Sequence, residues 1–403
     1  MQSPAPFIER HGLWSDEQRR RADELKRRIE AEKVQLVRLA WADPHGYSRA
    51  KMVTVPAFLG ALANGYNINV ATSTLDSAGA RTFSSFTRGG GMGLDEMTGS
   101  PNLTIVPDPA TFRVLPWAPG VGWVLCDEYF NSGVPFHFSP RQLLRRQLER
   151  LAERNYSCVV GVEIEWHLLR VAQDHLTDDN VGVAGTRGRP IETWPVEPGF
   201  HYHSESNMDL MQPVLTALAQ TYEALGLPLR SIENEFGPGQ VECTFAPRPA
   251  LEAADNLLLM RTATRQLCRR MGYFATFMCR PKLKGDIASG WHLHQSLVDA
   301  ASGDNLFMPE GAGELLSPLD PGPSDDEPYA AERTRLPKSL PEALDALERE
   351  PLFRRELGDV FIDYFVKLKR NEAGRYLAWV EQSGKPLDDE PTEWEQNEYF
   401  DFF

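Results

Sequence analysis

The sequence predicts an α+β protein in two parts. A small N-terminal unit of strands with one helix precedes a larger unit, in which a curved antiparallel sheet is backed by helices. Three observations carry this expectation. Strand-like alternation dominates residues 34–126, with one short helical stretch inside it. From about Val134, alternating stretches are interleaved with long amphipathic ones at 207–225 and 249–271. At 403 residues the chain is also long enough to bury two cores. These features divide it into an N-terminal helical extension (1–33), a first domain (34–133) and a second domain (134–403).

Ser15 and Gln18 form a capping box that opens a charged helix to about Lys33. Alternation then predicts a strand over 34–41. Asp43, Pro44, His45 and Gly46 turn it into a second strand over 47–55. A short helix is expected over 56–64, and strands over 103–106 and 121–126, on either side of Pro107 and Pro109. Between them, Gly89, Gly90, Gly91 and Gly93 invite a phosphate-loop reading. The G-x-x-x-x-G-K-[ST] spacing is missing, so the stretch reads as a flexible loop.

In the second domain, leucines on one face predict a helix over 141–154. Residues 174–200, rich in Gly, Pro, Thr and charge, read as a long surface loop. His201 and His203 alternate without an acid nearby in sequence and read as loop histidines. Ser339 and Glu342 open a helix to about Glu350. A second helix is expected over 352–372, with Phe353, Leu357, Phe361, Tyr364 and Leu368 on a common side. Trp394, Tyr399, Phe400, Phe402 and Phe403 would be costly if exposed on a monomer, which points to a subunit contact.

A net charge of -15 argues against nucleic acid as a partner. It suits a protein that meets polyphosphates through metals. The five cysteines are scattered without a C-x-x-C pair, which fits reduced thiols in a cytoplasm. No apolar run approaches the roughly 18 residues of a membrane span, and the first residues lack a signal peptide's basic and apolar regions. The expectation is a cytoplasmic protein without a membrane partner.

Three stretches carry chemistry. In the first, Glu163 and Glu165 alternate with Val162, Ile164 and Trp166. On a strand both carboxylates face the same way and repel unless a cation compensates. Hard oxygen ligands suit Mg²⁺ or Mn²⁺, although a solvated strand face would show the same pattern. In the second, Glu235 precedes a turn at Gly237, Pro238 and Gly239, and Glu242 follows it on a new strand over 240–245. The turn can bring the two acids together, but an ordinary hairpin with exposed acids also fits. In the third, the small residues Ala288, Ser289 and Gly290 run into a strand over 291–298 that puts His292, His294 and Ser296 on one face. Such a face could hold a metal and a phosphate, or be a barrel strand with satisfied polar groups.

In this order the three stretches resemble the glutamine synthetase family, whose patterns are G-x-E-x-E, E-x-x-P-G-Q-x-E and G-S-G-x-H-x-H-x-S. The resemblance runs from about Val34 to Leu306 and resumes in the C-terminal helices. It implies a β-grasp first domain and a catalytic second domain. It also implies an ATP-dependent ligase that joins the γ-carboxylate of glutamate to an amine through a γ-glutamyl phosphate. Glu165, Glu235 and Glu242 would hold one Mg²⁺ (or Mn²⁺), and Glu163 and His292 the second. Glu163, Glu165 and His292 would thus sit at the catalytic centre. His294 and Ser296 would contact ATP, and Gly290 would offer its backbone to the amino-acid substrate. The partners implied are glutamate, ATP, an amine and further copies of the chain, in a dodecamer of two stacked hexamers. The loop over 77–93 would reach the neighbouring subunit's active site.

Three departures qualify the resemblance. Ile287 and Ala288 stand where the family usually has Asn and Gly. Residues 71–77 lack the Phe-Asp-Gly-Ser-Ser that helps bind ammonium. They offer Ser73, Thr74 and Leu75 instead, with Asp76 a few positions on. After Phe307 the family continues with a block of roughly 70 to 100 residues, longer than ordinary loops. That block bears phosphate-binding arginines and a metal-ligating glutamate, and none of it can be matched here. The first two departures favour an organic amine over ammonium as acceptor. A true glutamine synthetase, or an inactive oligomeric scaffold, is the alternative.

Overall fold

A computed structural model describes residues 5–308, 335–385 and 390–403. The break expected after Phe307 falls largely on 309–334, outside the described residues.

Helices α1 (Phe7–Arg10) and α2 (Asp16–Ala31) lead in. The capping box forms as expected: Ser15 Oγ accepts from the Gln18 amide, and the Gln18 side chain returns to the Ser15 amide. The first sheet contains β1 (Leu36–Ala42), β2 (Ser48–Thr54), β3 (Tyr66–Asn69), β4 (Asn102–Pro107), β5 (Arg113–Val114) and β6 (Val121–Phe130). Its order is β2-β1-β6-β4-β3, with β5 added on β6. The β1–β6 pair is parallel and the other pairings are antiparallel. Helix α3 (Val55–Asn64) opens with Pro56 in its first turn and the Thr54 hydroxyl as its cap.

Helix α4 (Pro140–Ala152) leads into the second sheet, which is organised around the sixteen-residue β7 (Tyr156–Val171). Short β8 (Thr193–Pro195), helix α5 (Glu205–Leu225), β9 (Leu229–Asn234), β10 (Gln240–Phe245), β11 (Arg248–Pro249), helix α6 (Ala250–Arg270), β12 (Tyr273–Thr276) and β13 (Trp291–Asp299) follow. Glu163 and Ile164 pair with both β10 and β13, so these strands lie on opposite edges of β7. Every pairing in this sheet is antiparallel.

Alternation decides what β7 buries. Val162, Ile164, Trp166 and Leu168 join Met211, Val214, Leu218 and Tyr222 of α5 and Met260 and Ala263 of α6 in one core. Ala40, Trp123 and Leu125 of the first sheet enter the same core, so the two sheets share packing. Buried Arg141 reinforces the junction. It lies 2.8 Å from Asp108, 2.7 Å from Asp127 and 2.7 Å from Asp255.

Two C-terminal expectations are corrected. The single helix expected over 352–372 is two. After α7 (Leu340–Arg349), α8 (Pro351–Leu357) ends at Gly358, whose φ of 92° and ψ of 145° break the helical path. Helix α9 (Asp359–Ser383) then runs well past 372. The aromatic tail, which ends α10 (Glu393–Tyr399) and follows it, is not left exposed. Phe400 and Phe402 are buried in the chain's own fold, and Phe400 stacks on Phe274 at 5.0 Å. The tail therefore gives no evidence for a subunit contact.

Candidate active site

The second sheet arranges the charged residues in rows. Cross-strand partners share a face. One row runs Glu233 (β9), Glu242 (β10), Glu165 (β7) and reaches Gly290, whose carbonyl accepts from the Glu165 amide at 3.1 Å. The next runs Ser231, Thr244, Glu163 and His292. His294 stands opposite Gly161 one step further on. On β7 and β10 apolar residues occupy the alternate positions and point into the core, so these strands display their acids toward the opposite side, while Trp291 and Leu293 of β13 remain exposed.

Contacts bind the rows together. His292 Nδ1 hydrogen-bonds Glu163 Oε1, and His294 Nε2 lies 3.4 Å from the other oxygen of Glu163. Gln240 Nε2 donates to Glu165 Oε2 at 2.7 Å. Glu235 follows β9 at the turn, and Glu242 lies close enough to Glu163 and Glu235 for their charges to act on it. Ser296 is apart from this group. Its hydroxyl faces Asn305 at 3.4 Å, further along β13. A Cβ at Gly290 would lie 2.6 Å from His292 Nε2 and 2.7 Å from Glu165 Oε1, so the close approach of these groups requires glycine.

Sequence reasoning missed His203 and Glu233. His203 is in a loop, as expected, but Nε2 lies 3.0 Å from Glu233 Oε2. Donor atoms of His203, Glu233 and Glu235 all fall within 4.8 Å of one another. Glu233 lies two residues from Glu235 on the same alternation, which was the available signal. His203 is brought in by its own backbone N–H, which donates a hydrogen bond to the Asn234 carbonyl, a link that no local pattern announces.

The electrostatics fit a cation. Burial, then the charges of Glu163, Glu235 and Glu233, push the Glu242 carboxyl up to about 8. Burial, then Glu165, raises Glu235, and burial raises Glu165. Glu163 is held low, first by its hydrogen bond from His292. Carboxylates this close disfavour joint ionisation, and a divalent cation reverses that balance. The donor set of carboxylate oxygens with one imidazole suits Mg²⁺ or Mn²⁺. Behind it, burial pushes His167 down to about 4, and its Nδ1 lies 3.4 Å from Ser289 Oγ.

Asp76 does not face this cluster as a free acid. Its Oδ2 takes bonds from Arg375 Nε at 2.7 Å and Asn371 Nδ2 at 2.9 Å, and its Oδ1 from the amides of Ala78 and Ala80. Ser73 and Thr74 are buried beside it.

Comparison with known proteins agrees with the geometry. The profile "Glutamine synthetase, catalytic domain" matches residues 137–320 and 316–385. Gamma-glutamylanilide synthase of Acinetobacter sp is 33% identical over 499 aligned positions, covering 99% of each chain. Those 499 positions exceed the 403 residues here, and the profile match divides at 316–320. Glutamate–isopropylamine ligase of Pseudomonas sp is 29% identical, over 75% of this chain and 62% of that one. The solved structure titled "GmaS/ADP complex-Conformation 1" superposes with a TM-score of 0.68 at 20% identity, covering 88% of this chain and 97% of the other, a likeness of fold. The chain belongs to the glutamine synthetase family and is, with it, an ATP-dependent carbon–nitrogen ligase.

Proposed function

We propose that the enzyme joins the γ-carboxylate of glutamate to an organic amine, in preference to ammonium, through a γ-glutamyl phosphate made with ATP. The observation that carries the choice of amine is an aromatic wall beside the carboxylates. Tyr202 and Phe236 stack at 5.0 Å with their planes 12° apart, and Phe236 directly follows Glu235. Together with Phe200 they stay exposed, at 48%, 50% and 70%. Large apolar surface left open next to a polar site suits an organic group.

The N-terminal loop supports the same reading. Ammonium is cationic and needs a carboxylate to bind it and draw off its proton. Asp76 is engaged by Arg375 and two backbone amides, and so does not serve that need. Arylamines are neutral at neutral pH and require less. The relative named for anilide synthesis is consistent with such an acceptor, and the one named for isopropylamine with an organic amine more broadly.

Glu165, Glu235 and Glu242 are the residues to hold one divalent cation, with Glu163 and His292 for a second. Bound there, such cations neutralise charge on a transferred phosphoryl group. Gly290, lacking a side chain, leaves its backbone open to the amino-acid substrate. His294 and Ser296, spaced along one face of β13, line a path for the nucleotide. We further propose a homo-oligomer of two stacked hexamers in a reducing cytoplasm. The location is supported by five cysteines that are all free, and light scattering tests the assembly.

The test of function is phosphate release with glutamate, ATP and Mg²⁺ against ammonium, isopropylamine, ethanolamine and aniline at equal concentration. The expected outcome is a higher kcat/KM for one of the organic amines. Ammonium as the best acceptor overturns the amine assignment, and no release with any amine overturns the transfer reaction itself.

A further inference from the structure

Behind the second sheet, between the two units, lies a cavity of about 530 Å³. Arg38 of β1 and Arg261, Arg265, Arg269 and Arg270 of α6 line it. The hydrogen bonds of four of these go to neutral oxygens. Arg38 reaches the Gln266 side chain at 2.7 Å, Arg261 the Gly46 carbonyl at 3.0 Å, Arg265 the Phe402 carbonyl at 2.9 Å and Arg270 the Gln266 carbonyl at 3.1 Å. Among the described residues none of the five forms an ion pair with a carboxylate. The one acid in the lining, Asp401, is already paired with Arg187.

Arg261 is the most telling of the five. Its residue is 8% exposed, yet its Nε has no hydrogen-bond partner among the described residues. Burial, and then the charge of Arg265, hold its proton affinity down to about 10. Buried cations are normally paired, because an unpaired one loses its hydration without recompense. Five guanidinium groups without an ion pair around one cavity, two of them (Arg269 and Arg270) open to solvent, also stand out in a chain whose net charge is -15. Arginine presents planar, forked donors that match phosphate and carboxylate oxygens.

We propose that this cavity is a binding site for a small polyanion, one that carries at least two negative charges on phosphate or carboxylate groups. The site is separate from the carboxylate cluster. It stands on the other side of β13, where the Arg261 guanidinium lies 5.0 Å from the Trp291 ring, and Trp291 directly precedes His292. Alternation places Trp291 and His292 on opposite faces of the strand. An anion that neutralises Arg261 therefore acts on the back of the strand that carries the active-site histidines. The inference does not depend on which amine the enzyme uses.

The experiment is titration calorimetry on the full chain, stripped of metal and held in chelator-free buffer. Without metal the carboxylate cluster repels anions, so binding there is suppressed. Pyrophosphate is the probe in one arm and citrate in the other. Saturable binding of about one anion per chain is expected for at least one probe, and which probe binds distinguishes phosphate from carboxylate chemistry. Arg265→Gln and Arg269→Gln should each weaken it about tenfold, the scale of one charge-assisted hydrogen bond. His292→Ala should bind as the unaltered chain does. Thermal melts check that each variant is folded, and Arg38→Gln replaces one that is not. Absence of saturable binding for both probes overturns the proposal. So does equal affinity in the arginine variants, or loss of binding in His292→Ala.

Discussion

Asp76 Oδ2 lies 2.7 Å from Arg375 Nε, which ties the N-terminal loop to α9 across 299 positions of sequence. Arg375 also holds Glu398 at 2.6 Å, and Glu398 accepts from Ser77. The carboxylate nearest to the family's ammonium-binding position is therefore a clasp within the fold. Removing its charge leaves Arg375 partly unpaired in a half-buried setting. Asp76→Asn should lower unfolding stability by about 3 kcal/mol, while the ratio of ammonium to organic-amine turnover stays unchanged. Urea titration and the amine panel check both halves. A stable variant with altered ammonium use would refute the clasp.

His292 stands about half exposed on β13, which among the described strands pairs with β7, and is bonded there to Glu163. Neither His292→Ala nor Glu163→Gln opens a core cavity, so both should fold. Each should lose about 100-fold or more in kcat through charge left unneutralised at the phosphoryl group. Circular dichroism and steady-state turnover decide the matter. Unchanged turnover in folded His292→Ala would reject its place in the site.

Gly290→Ala tests the geometry more finely. The added methyl meets the far ends of the His292 and Glu165 side chains, not backbone. Those ends can move, so the fold should survive with little change in melting temperature. The displaced ligands should nevertheless lower kcat about 100-fold, the scale of a displacement of about 1 Å at a reacting centre. A variant as active as the parent would show that this close approach is incidental.

Much of this site was legible because strand alternation is a local code. Glu163, Glu165, Glu242 and His292 each sit in an alternating run, and pairing on both edges of β7 brings the runs together. Turn chemistry located Glu235. What was not legible arises at long range. The Asp76–Arg375 clasp joins distant segments, and His203 reaches Glu233 through a loop whose path is set by a backbone bond to Asn234. The break at Gly358 was hidden in an otherwise helical apolar pattern, which continues on both sides of it. The tail misled because aromatic composition does not say whether the surface that covers it belongs to the same chain.

Glu128 gives the stability a pH dependence. It is buried, its Oε1 has no hydrogen-bond partner among the described residues, and burial pushes its carboxyl up to about 8. In the unfolded chain it ionises near 4.5, the ordinary glutamate value. Between those values the folded state keeps a proton that the unfolded state releases, so this group's contribution to stability falls as pH rises through that window. Glu128→Gln removes the slope. Its melting temperature relative to the parent should rise from pH 5 to pH 8. A difference independent of pH would show that Glu128 is ionised in the fold.

The aromatic wall makes the last prediction. Phe236 is half exposed and stacks on Tyr202, which is itself close enough to the carboxylates for their charge to raise its hydroxyl pKa, after burial. Truncating Phe236 removes a stacking surface without emptying a core. If an arylamine rests on this wall, Phe236→Ala should lower kcat/KM for aniline about tenfold, equal to about 1.4 kcal/mol and within the range of one aromatic contact with its burial. Ammonium has no ring to stack, so its kcat/KM should change by less than about twofold. The measurement is the pair of ratios in one enzyme preparation, which cancels errors in active fraction. Equal losses for aniline and ammonium would mean that Phe236 shapes the carboxylate cluster and does not seat the acceptor.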